Sequence, residues 1–226
     1  MAVLYIIGTP IGNLGDLTFR AAETFKSADL VACEDTRITL KILNHLGIRV
    51  PLLSCRAQNE EKAADKVIAA LDQGKTVIYA SDAGTPGLSD PGRILAAKAI
   101  IAGHEVIPIP GVSAFNTIVS IAGTNDKTVI FEGFLSPKAG RRKSRLKELF
   151  ATGWAFVLYE SPFRICGLLK DIADIDNMRY ICVGREMTKL HEEYKRGPVE
   201  DVLAFFAQKK HQKGEFTVYI SGHNRK

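Results

Sequence analysis

Residues 76–102 read Thr76-Val-Ile-Tyr-Ala80, Ser81-Asp-Ala-Gly-Thr-Pro-Gly-Leu-Ser-Asp-Pro-Gly92, then Arg93-Ile-Leu-Ala-Ala-Lys-Ala-Ile-Ile-Ala102. The first run is β-branched and aromatic, as in a strand. The last is apolar and helix-forming. Between them lies a loop rich in glycine and proline. Strand, glycine loop and helix in that order place the loop outside the carboxyl end of a strand, where open α/β sheets bind ligands. Gly84, Gly87 and Gly92 let the backbone turn sharply and approach a ligand closely. Asp82 falls just past the strand end, positioned to accept hydrogen bonds from ligand hydroxyls. Ser89 or Asp90 is the expected helix N-cap, with Pro91 at the first helical position. The plain alternative is a long connection that happens to carry turn residues, although connections of this length are usually functional.

Outward from this unit the same alternation repeats. Strands are expected at Val3–Gly8, Leu30–Cys33, Leu52–Cys55 and Glu105–Ile109. Helices are expected from Asp16 or Thr18 to Lys26, after Arg37 to Leu46, from Asn59 to Gln73, and after Ala114 to near Gly123. Short links between alternating elements predict a mostly parallel sheet covered on both faces. Gly123-Thr-Asn-Asp126 reads as a junction, and the pattern then restarts. Strands are expected at Thr128–Phe131, Phe156–Tyr159, Arg179–Val183, near Glu193–Lys195 and at Phe216–Ser221. Helices are expected at Arg141–Phe150, from Ser161-Pro162 to Ile172, and at Pro198–Lys209. Several of these strands are close neighbours in sequence, which points to a mixed sheet. The fold class is therefore α/β with two domains, 1–120 and 121–226, and a ligand crevice between them.

The 226 residues are 46% hydrophobic and 24% charged, the composition of an ordinary globular protein. Cys33, Cys55, Cys166 and Cys182 lie far apart with no CxxC, which suits buried thiols in a reducing compartment. The five histidines show no ligand spacing, so no metal site is expected. The apolar N-terminal run stops at Gly8, too short for a secretory signal. No run reaches the ~18 apolar residues of a membrane span. A cytoplasmic chain without membrane contact follows. A net charge of +5 suits an anionic partner.

The first loop, Gly8-Thr-Pro-Ile-Gly-Asn13, lacks G-x-G-x-x-G, and neither a Walker A sequence nor a nucleophile elbow appears. In a parallel sheet, loops 8–15, 34–37, 81–92 and 110–114 share one edge. They offer backbone groups, Asp82, Thr85, Ser89 and Ser113, which suits an adenosine-like ligand. Glu34, Asp35 and Arg37 share that edge, with helix capping as the alternative role for the carboxylates. Asn59-Glu60 after the next strand also reads as a plain helix start. Lys138, Arg141, Arg142, Lys143, Arg145 and Lys147 form a one-signed run with no acid before Glu148, which matches phosphate binding better than a mixed solvated face. Glu160–Arg164 and Gly184–Lys189 are charged loops after apolar strands.

Together these segments resemble one family. They are Leu4-Tyr-Ile-Ile-Gly-Thr-Pro-Ile-Gly-Asn-Leu-Gly-Asp-Leu-Thr18, Glu34-Asp-Thr-Arg37, Ser81-Asp-Ala-Gly-Thr-Pro86, Asp90-Pro-Gly92, Pro110-Gly111, Glu132-Gly-Phe-Leu135, Tyr159-Glu-Ser161 and Arg185-Glu-Met-Thr-Lys189. In this order they resemble the ribosomal RNA small subunit methyltransferase I family of the tetrapyrrole-methylase superfamily, over roughly residues 3–222. The resemblance implies a two-domain homodimer that uses S-adenosylmethionine to methylate the 2′-oxygen of a cytidine in the decoding region of 16S rRNA, within the small ribosomal subunit. It implies a methyl-donor pocket from Pro10, Ile11, Gly12, Ser81, Asp82, Ala83, Gly84, Thr85, Ser113 and Ala114, closed by Tyr159, Glu160 and Met187. It directs attention to Glu34, Arg37, Glu60, Glu186 and Lys189 for catalysis or RNA positioning, with RNA contact at Lys138, Arg141, Arg142, Lys143 and Arg145. Two departures stand out. Arg56-Ala-Gln-Asn-Glu60 replaces a His-x-His-Asn-Glu run, and the sequence ends at Lys226, where many relatives continue into a helical extension. A tetrapyrrole methylase and a non-catalytic RNA-binding relative are the competing readings.

Overall fold

β-Branched runs between short turns form the five strands of the first sheet: β1 (Val3–Ile7), β2 (Leu30–Cys33), β3 (Leu52–Ser54), β4 (Thr76–Ala80) and β5 (Glu105–Ile109). In the computed structural model, which describes residues 2–88, 91–208 and 213–223, they lie in the order β3-β2-β4-β1-β5, and every pairing is parallel. Side-chain alternation assigns the two faces. Leu4, Ala32, Val77 and Tyr79 pack with α3 (Glu60–Asp72) and α4 (Arg93–Ile101). Ile7, Val31, Cys33, Ile78 and Ala80 pack with α1 (Phe19–Lys26) and α2 (Thr36–Leu46). The chain runs one way through α1 and α2 and back through α3 and α4, so right-handed crossovers put the two helix pairs on opposite faces. β2 and β4 are neighbours whose connections leave in opposite directions. This is the switch point at which open sheets form a crevice at the strands' carboxyl ends.

Local chemistry sets the helix ends. The Thr18 hydroxyl accepts the Ala21 N–H at 3.1 Å, so Thr18 and not Asp16 caps α1. Asp35 caps α2 through the Arg37 N–H at 2.9 Å, and Gly47 closes it in the left-handed region at φ 67°. At α4 the structure corrects the sequence reading. The helix starts at Arg93 with Gly92 as N-cap at φ 115°, so Pro91 is not its first residue. Ser89 and Asp90 lie outside the described residues. A Cβ on Gly92 would overlap the Tyr79 ring, so the cap position must be glycine.

The chain divides into two units, Met1–Ser113 and Ala114–Lys226. The expected boundary at 120 falls inside α5 (Ala114–Ala122), which packs on strands of the second unit and gives its Ala122 carbonyl to the Tyr180 hydroxyl at 3.0 Å. That unit holds β6 (Val129–Phe134), α6 (Ala139–Ala151), β7 (Ala155–Glu160), α7 (Ile165–Ala173), β8 (Tyr180–Arg185), β9 (Glu193–Pro198), α8 (Val199–Phe206) and β10 (Phe216–Ile220). Its sheet is mixed, in the order β6-β7-β10-β8-β9. β6 is parallel to β7, and β10 runs antiparallel between β7 and β8. Leu146, Leu149, Leu168, Leu169, Val202 and Phe206 bring α6, α7 and α8 onto one face over Phe156, Leu158, Val183 and Val218. α7 begins at Ile165 rather than Ser161, because Glu160 takes the Ser161 N–H and the Arg164 guanidinium and holds the intervening residues in a turn. Lys209, the expected end of α8, lies outside the described residues; the helix ends at Phe206.

Candidate functional site

Parallel strands end together, so the loops after β1, β2, β4 and β5 leave one edge of the first unit. They are bonded into a single cluster. The Gly8 N–H donates to the Ile109 carbonyl at 2.9 Å. Thr9 and Gly84 exchange both backbone bonds at 3.0 Å, an isolated antiparallel bridge between the first and fourth loops. The buried Thr9 hydroxyl donates to the Ser81 carbonyl at 3.2 Å, and the Thr85 hydroxyl reaches the Val112 carbonyl at 3.1 Å. Asp82 ties in the second loop, its Oδ1 accepting the Asp35 N–H at 2.8 Å across the switch point.

The cluster is built so tightly that side chains are excluded. A Cβ on Gly8 would sit 2.6 Å from the Gly111 nitrogen and 2.9 Å from Thr85 Oγ1, and one on Gly111 would sit 2.8 Å from the Gly8 carbonyl oxygen. Gly84, at φ 83°, has Ile11 Cγ2 3.3 Å from the place a Cβ would take. Pro10 and Ser81 are buried beside it, while Gly12, Ala83 and Thr85 are exposed on its surface. Ser113 closes this unit and Ala114 opens α5. The result is a tightly bonded backbone surface with Asp82 at its side. It fits a ligand recognised by backbone donors and acceptors, as an adenosine moiety is. Thr9 and the facing of Gly8 by Gly111 escape sequence reasoning, since they follow from the β1–β4 and β1–β5 registers that set Ile7 opposite Ala80 and Ile109.

The charged residues on this edge separate by role. Glu60 is buried, and its Oε1 accepts the N–H groups of Gly92, Ile94 and Leu95 at 2.7, 3.0 and 3.3 Å. Its carboxylate is therefore the cap of α4, supplied from α3, where the sequence suggested Ser89 or Asp90. Asn59 braces its own loop, accepting the Arg56 N–H at 2.7 Å and donating to the Ser54 carbonyl at 3.1 Å. Arg37 clasps Asp35 through Nε at 2.9 and 3.1 Å and through Nη2. That clasp holds the Asp35 carboxyl well below the usual carboxylate range. Arg56, at the head of the run where histidines were expected, donates to the Glu34 carbonyl at 3.2 Å and lies 3.9 Å from the Asp35 carboxylate. A second guanidinium thus stands beside Glu34 and Arg37.

In the second unit, the ends of β7 and β8 flank the start of β10, with Glu160 and Arg185 both in register with Phe216. The Glu160 side chain is fully buried. Its Oε1 accepts the Ser161 N–H at 2.7 Å and pairs with Arg164 at 2.6 Å, while Oε2 has no partner among the described residues. Tyr159 packs edge-on to Phe131 and Phe134, with centroids at 5.1 and 5.7 Å. Met187 is buried over Gly184, whose Cβ would fall 2.6 Å from the Met187 sulfur. Glu186 and Thr188 adopt φ of 50° and 66°, the two non-glycine residues among those described with positive φ. Such strain persists where surrounding bonds over-determine it. Here Glu186 Oε1 accepts from Lys189 Nζ and the Glu215 N–H, both at 2.9 Å, and Lys189 also meets Glu215 Oε2 at 2.8 Å. Burial alone would raise the Glu186 carboxyl, but the bonds from Lys189 and Glu215 outweigh it and hold the group below its ordinary value. Thr188 Oγ1 is a second buried oxygen with no partner among the described residues.

The basic run does not form one free patch. Arg142 is buried against Asp171 at 2.6 Å, Lys143 meets Asp174 at 2.9 Å and Asp171 at 3.3 Å, and Arg145 pairs with Glu132 and Glu148 at 2.8 Å. Glu132 comes from β6, and Asp171 and Asp174 from the end of α7, none of them visible in the run itself. Lys138, Arg141 and Lys147 make no ion pair with any described residue. They are the cations α6 has available for a phosphate.

Residues 3–203 match the family model described as Tetrapyrrole (Corrin/Porphyrin) Methylases. The chain is 48% identical over 220 residues to the ribosomal RNA small subunit methyltransferase I of Borrelia garinii subsp. bavariensis, covering 97% of this chain and 98% of that one. It is 43% identical to the protein of that name from Thermotoga maritima (98% and 99% covered), and 39% identical to that of Escherichia coli O157:H7 (97% and 78%). Among solved structures, a cobalamin biosynthetic enzyme, cobalt precorrin-4 methyltransferase, superposes with a TM-score of 0.72 at 16% identity, covering 97% of this chain and 95% of that one. The uroporphyrin-III-C-methyltransferase of Thermus thermophilus superposes with a TM-score of 0.69 at 16% identity, covering 98% and 95%. At that identity the two structures speak for the fold alone.

Proposed function

From a chain that belongs to the tetrapyrrole (corrin/porphyrin) methylases, and within them to the ribosomal RNA small subunit methyltransferase I family, we propose an enzyme that moves the methyl group of S-adenosylmethionine to the 2′-oxygen of a cytidine ribose in the decoding region of 16S rRNA. The observation that carries this reading is the glycine cradle of the first unit, where Gly8 and Gly111 leave no room for a Cβ, Gly84 turns at φ 83° and Asp82 stands beside them. When bound, the sulfonium donor supplies an electrophilic methyl carbon and departs as a neutral thioether. The work left to the protein is to place the ribose oxygen in line with that carbon and to keep water out. Proximity and orientation of this kind can supply most of the acceleration. In this reading Pro10, Ile11, Gly12, Ser81, Asp82, Ala83, Gly84, Thr85, Ser113 and Ala114 hold the donor. Tyr159, Glu160 and Met187 join them on family grounds, supported by the buried, unpartnered Oε2 of Glu160.

The ribose hydroxyl loses its proton as the new bond forms, and a carboxylate at this edge, Glu34 or Asp82, is the acceptor in our reading. Glu60 is bound as a helix cap, and Glu186 and Lys189 neutralise each other, so we assign those three to positioning. Arg37, together with Lys138, Arg141 and Lys147, is assigned to RNA phosphates. The working form is a cytoplasmic homodimer acting on the small ribosomal subunit.

Calorimetry of Asp82→Ala should show no measurable donor binding, and an unchanged affinity would remove Asp82 from the site. Mapping 2′-O-methyl positions on 16S rRNA with and without the protein tests the target. Labelled donor offered with either 30S subunits or uroporphyrinogen tests the substrate. Label in uroporphyrinogen and not in RNA would sink the proposal. Donor binding without transfer to 30S subunits would recast the chain as a binding protein.

A further inference from the structure

The second unit carries a cavity of about 650 Å³ at the junction segment, lined by residues that neither the donor cradle nor the basic helix uses, among them Asn125, Lys127, Trp154 and His223. We infer that this cavity receives one unstacked nucleobase of a single-stranded RNA segment, with Trp154 as its stacking platform. The identity of the ligand rests on the RNA-modifying reading above; the site itself is additional to it.

Three observations carry the inference. Trp154 is 53% exposed although it lines the cavity, which leaves its side chain accessible to a planar ring. Bases stack on aromatic side chains with little regard to sequence. The walls are fixed in advance. Asp126 accepts from the Tyr219 hydroxyl at 2.7 Å, the Ser221 hydroxyl at 2.7 Å and the Gly222 N–H at 3.1 Å, so the cavity's acid is engaged by the fold. The main-chain N–H of Trp154 donates to Thr152 Oγ1 at 3.1 Å, Gly153 turns at φ 69°, and a Cβ on Gly222 would overlap the Gly153 carbonyl oxygen, so the backbone that carries the indole is held in place. A backbone frame set in advance loses little entropy when a ligand binds. Finally, the lining suits a neutral ring attached to a phosphate. The Asn125 amide offers a donor and an acceptor for a base edge, and Lys127, also in the lining, supplies a positive charge. A purely apolar occupant would bury both without partners.

Trp154 is the sole tryptophan of the chain, so it reports on its own site. Excited at 295 nm, its fluorescence should change saturably with a short cytidine-rich single-stranded RNA and not with the same sequence as a duplex. Trp154→Ala, followed by anisotropy of the labelled strand, should weaken binding by about tenfold or more, in line with the loss of one base stack. Trp154→Phe should restore part of it. Methyl-donor affinity, measured by calorimetry, should be unchanged in both variants, which shows that they fold. Unaltered fluorescence together with wild-type RNA affinity in Trp154→Ala overturns the inference. So does a tryptophan signal that follows protein concentration and ignores RNA, which would mean that a second copy covers the indole. Transfer to 30S subunits is scored separately. If it persists while base stacking fails, only this site falls; if it is absent from the wild type, the RNA-modifying reading falls first.

Discussion

The carboxyl edges of the two sheets are held together by different means. In the first unit the loops meet backbone to backbone: Thr9 with Gly84, Gly8 with Gly111, and an Asp82 carboxylate on a main-chain N–H. In the second unit the equivalent positions are held by charge: Glu160 with Arg164, Glu186 with Lys189, Arg185 with Glu193. A backbone-built edge presents a fixed pattern of donors and acceptors and tolerates no added side chain. A charge-built edge depends on each pair being complete, and tolerates changes of shape better than changes of charge.

The largest break is expected where charge is buried. Arg142 and Asp171 are both nearly inaccessible and share a 2.6 Å contact between α6 and α7. Asp171→Ala leaves the Arg142 guanidinium in the interior without its partner, which costs about 3–5 kcal/mol. Lys143, which also meets Asp171, is half exposed and turns to solvent or to Asp174. Urea unfolding should show the drop. A loss below about 1 kcal/mol, the range of an exposed pair, would place the contact at the surface and weaken the case that buried charge holds the second unit.

The matching break in the first unit is Gly8→Ala. One methyl group meets the Gly111 backbone at 2.6 and 2.7 Å, where no flexible side chain can give way. Overpacking of this kind costs about 1–3 kcal/mol. The loops must part to admit it, so donor affinity by calorimetry should fall by far more than stability does. Gly47→Ala is the control: its φ of 67° strains the backbone, as that of Gly8 does not, but nothing lies within 4 Å of an added Cβ. Donor affinity should survive there, and an equal fall in both variants would mean that a general loss of stability and not the cradle is being measured.

What the sequence disclosed follows the same division. The glycine loops, the strand–helix alternation and the mixed second sheet were legible, because glycine spacing and period-2 apolar runs are local signals. Partners distant in sequence were not. The run from Lys138 to Lys147 reads as a phosphate patch until Glu132, Asp171 and Asp174 arrive from other elements. Glu60 reads as a catalytic candidate because it follows a strand, and nothing local indicates that Gly92 and Leu95, more than thirty residues on, will point their N–H groups at it. The Gly8–Gly111 contact likewise needs the β1–β5 register, which periodicity does not encode.

Glu60 therefore separates the two kinds of edge within one residue, as a charge used to hold backbone. Glu60→Gln keeps an acceptor for the Gly92 and Ile94 N–H groups and should retain methyl transfer within a few-fold. Glu60→Ala removes it and should cost about 1–2 kcal/mol, the usual penalty for a lost N-terminal cap. A base or a substrate-binding carboxylate would show the opposite order, with Glu60→Gln abolishing transfer while stability is kept. Transfer rate against unfolding midpoint in the two variants decides the matter.

The smallest effect is the most specific to the charged edge. Lys189 and the Glu215 N–H favour ionised Glu186, so its pKa in the folded protein lies below the ordinary 4.5. The unfolded chain binds the proton more readily. Glu186 therefore contributes its full stability above about pH 4.5 and loses it as the pH falls through the lower, folded value. Glu186→Gln keeps the side chain's shape at its strained φ of 50° but removes the titration. Its unfolding free energy should fall slightly at neutral pH and approach that of the wild type in acid, so the two stability curves converge below pH 4.5. Parallel curves through that range would mean that Glu186 holds the loop by its shape and its bond to the Glu215 N–H alone. The second edge would then be built of backbone geometry as much as the first.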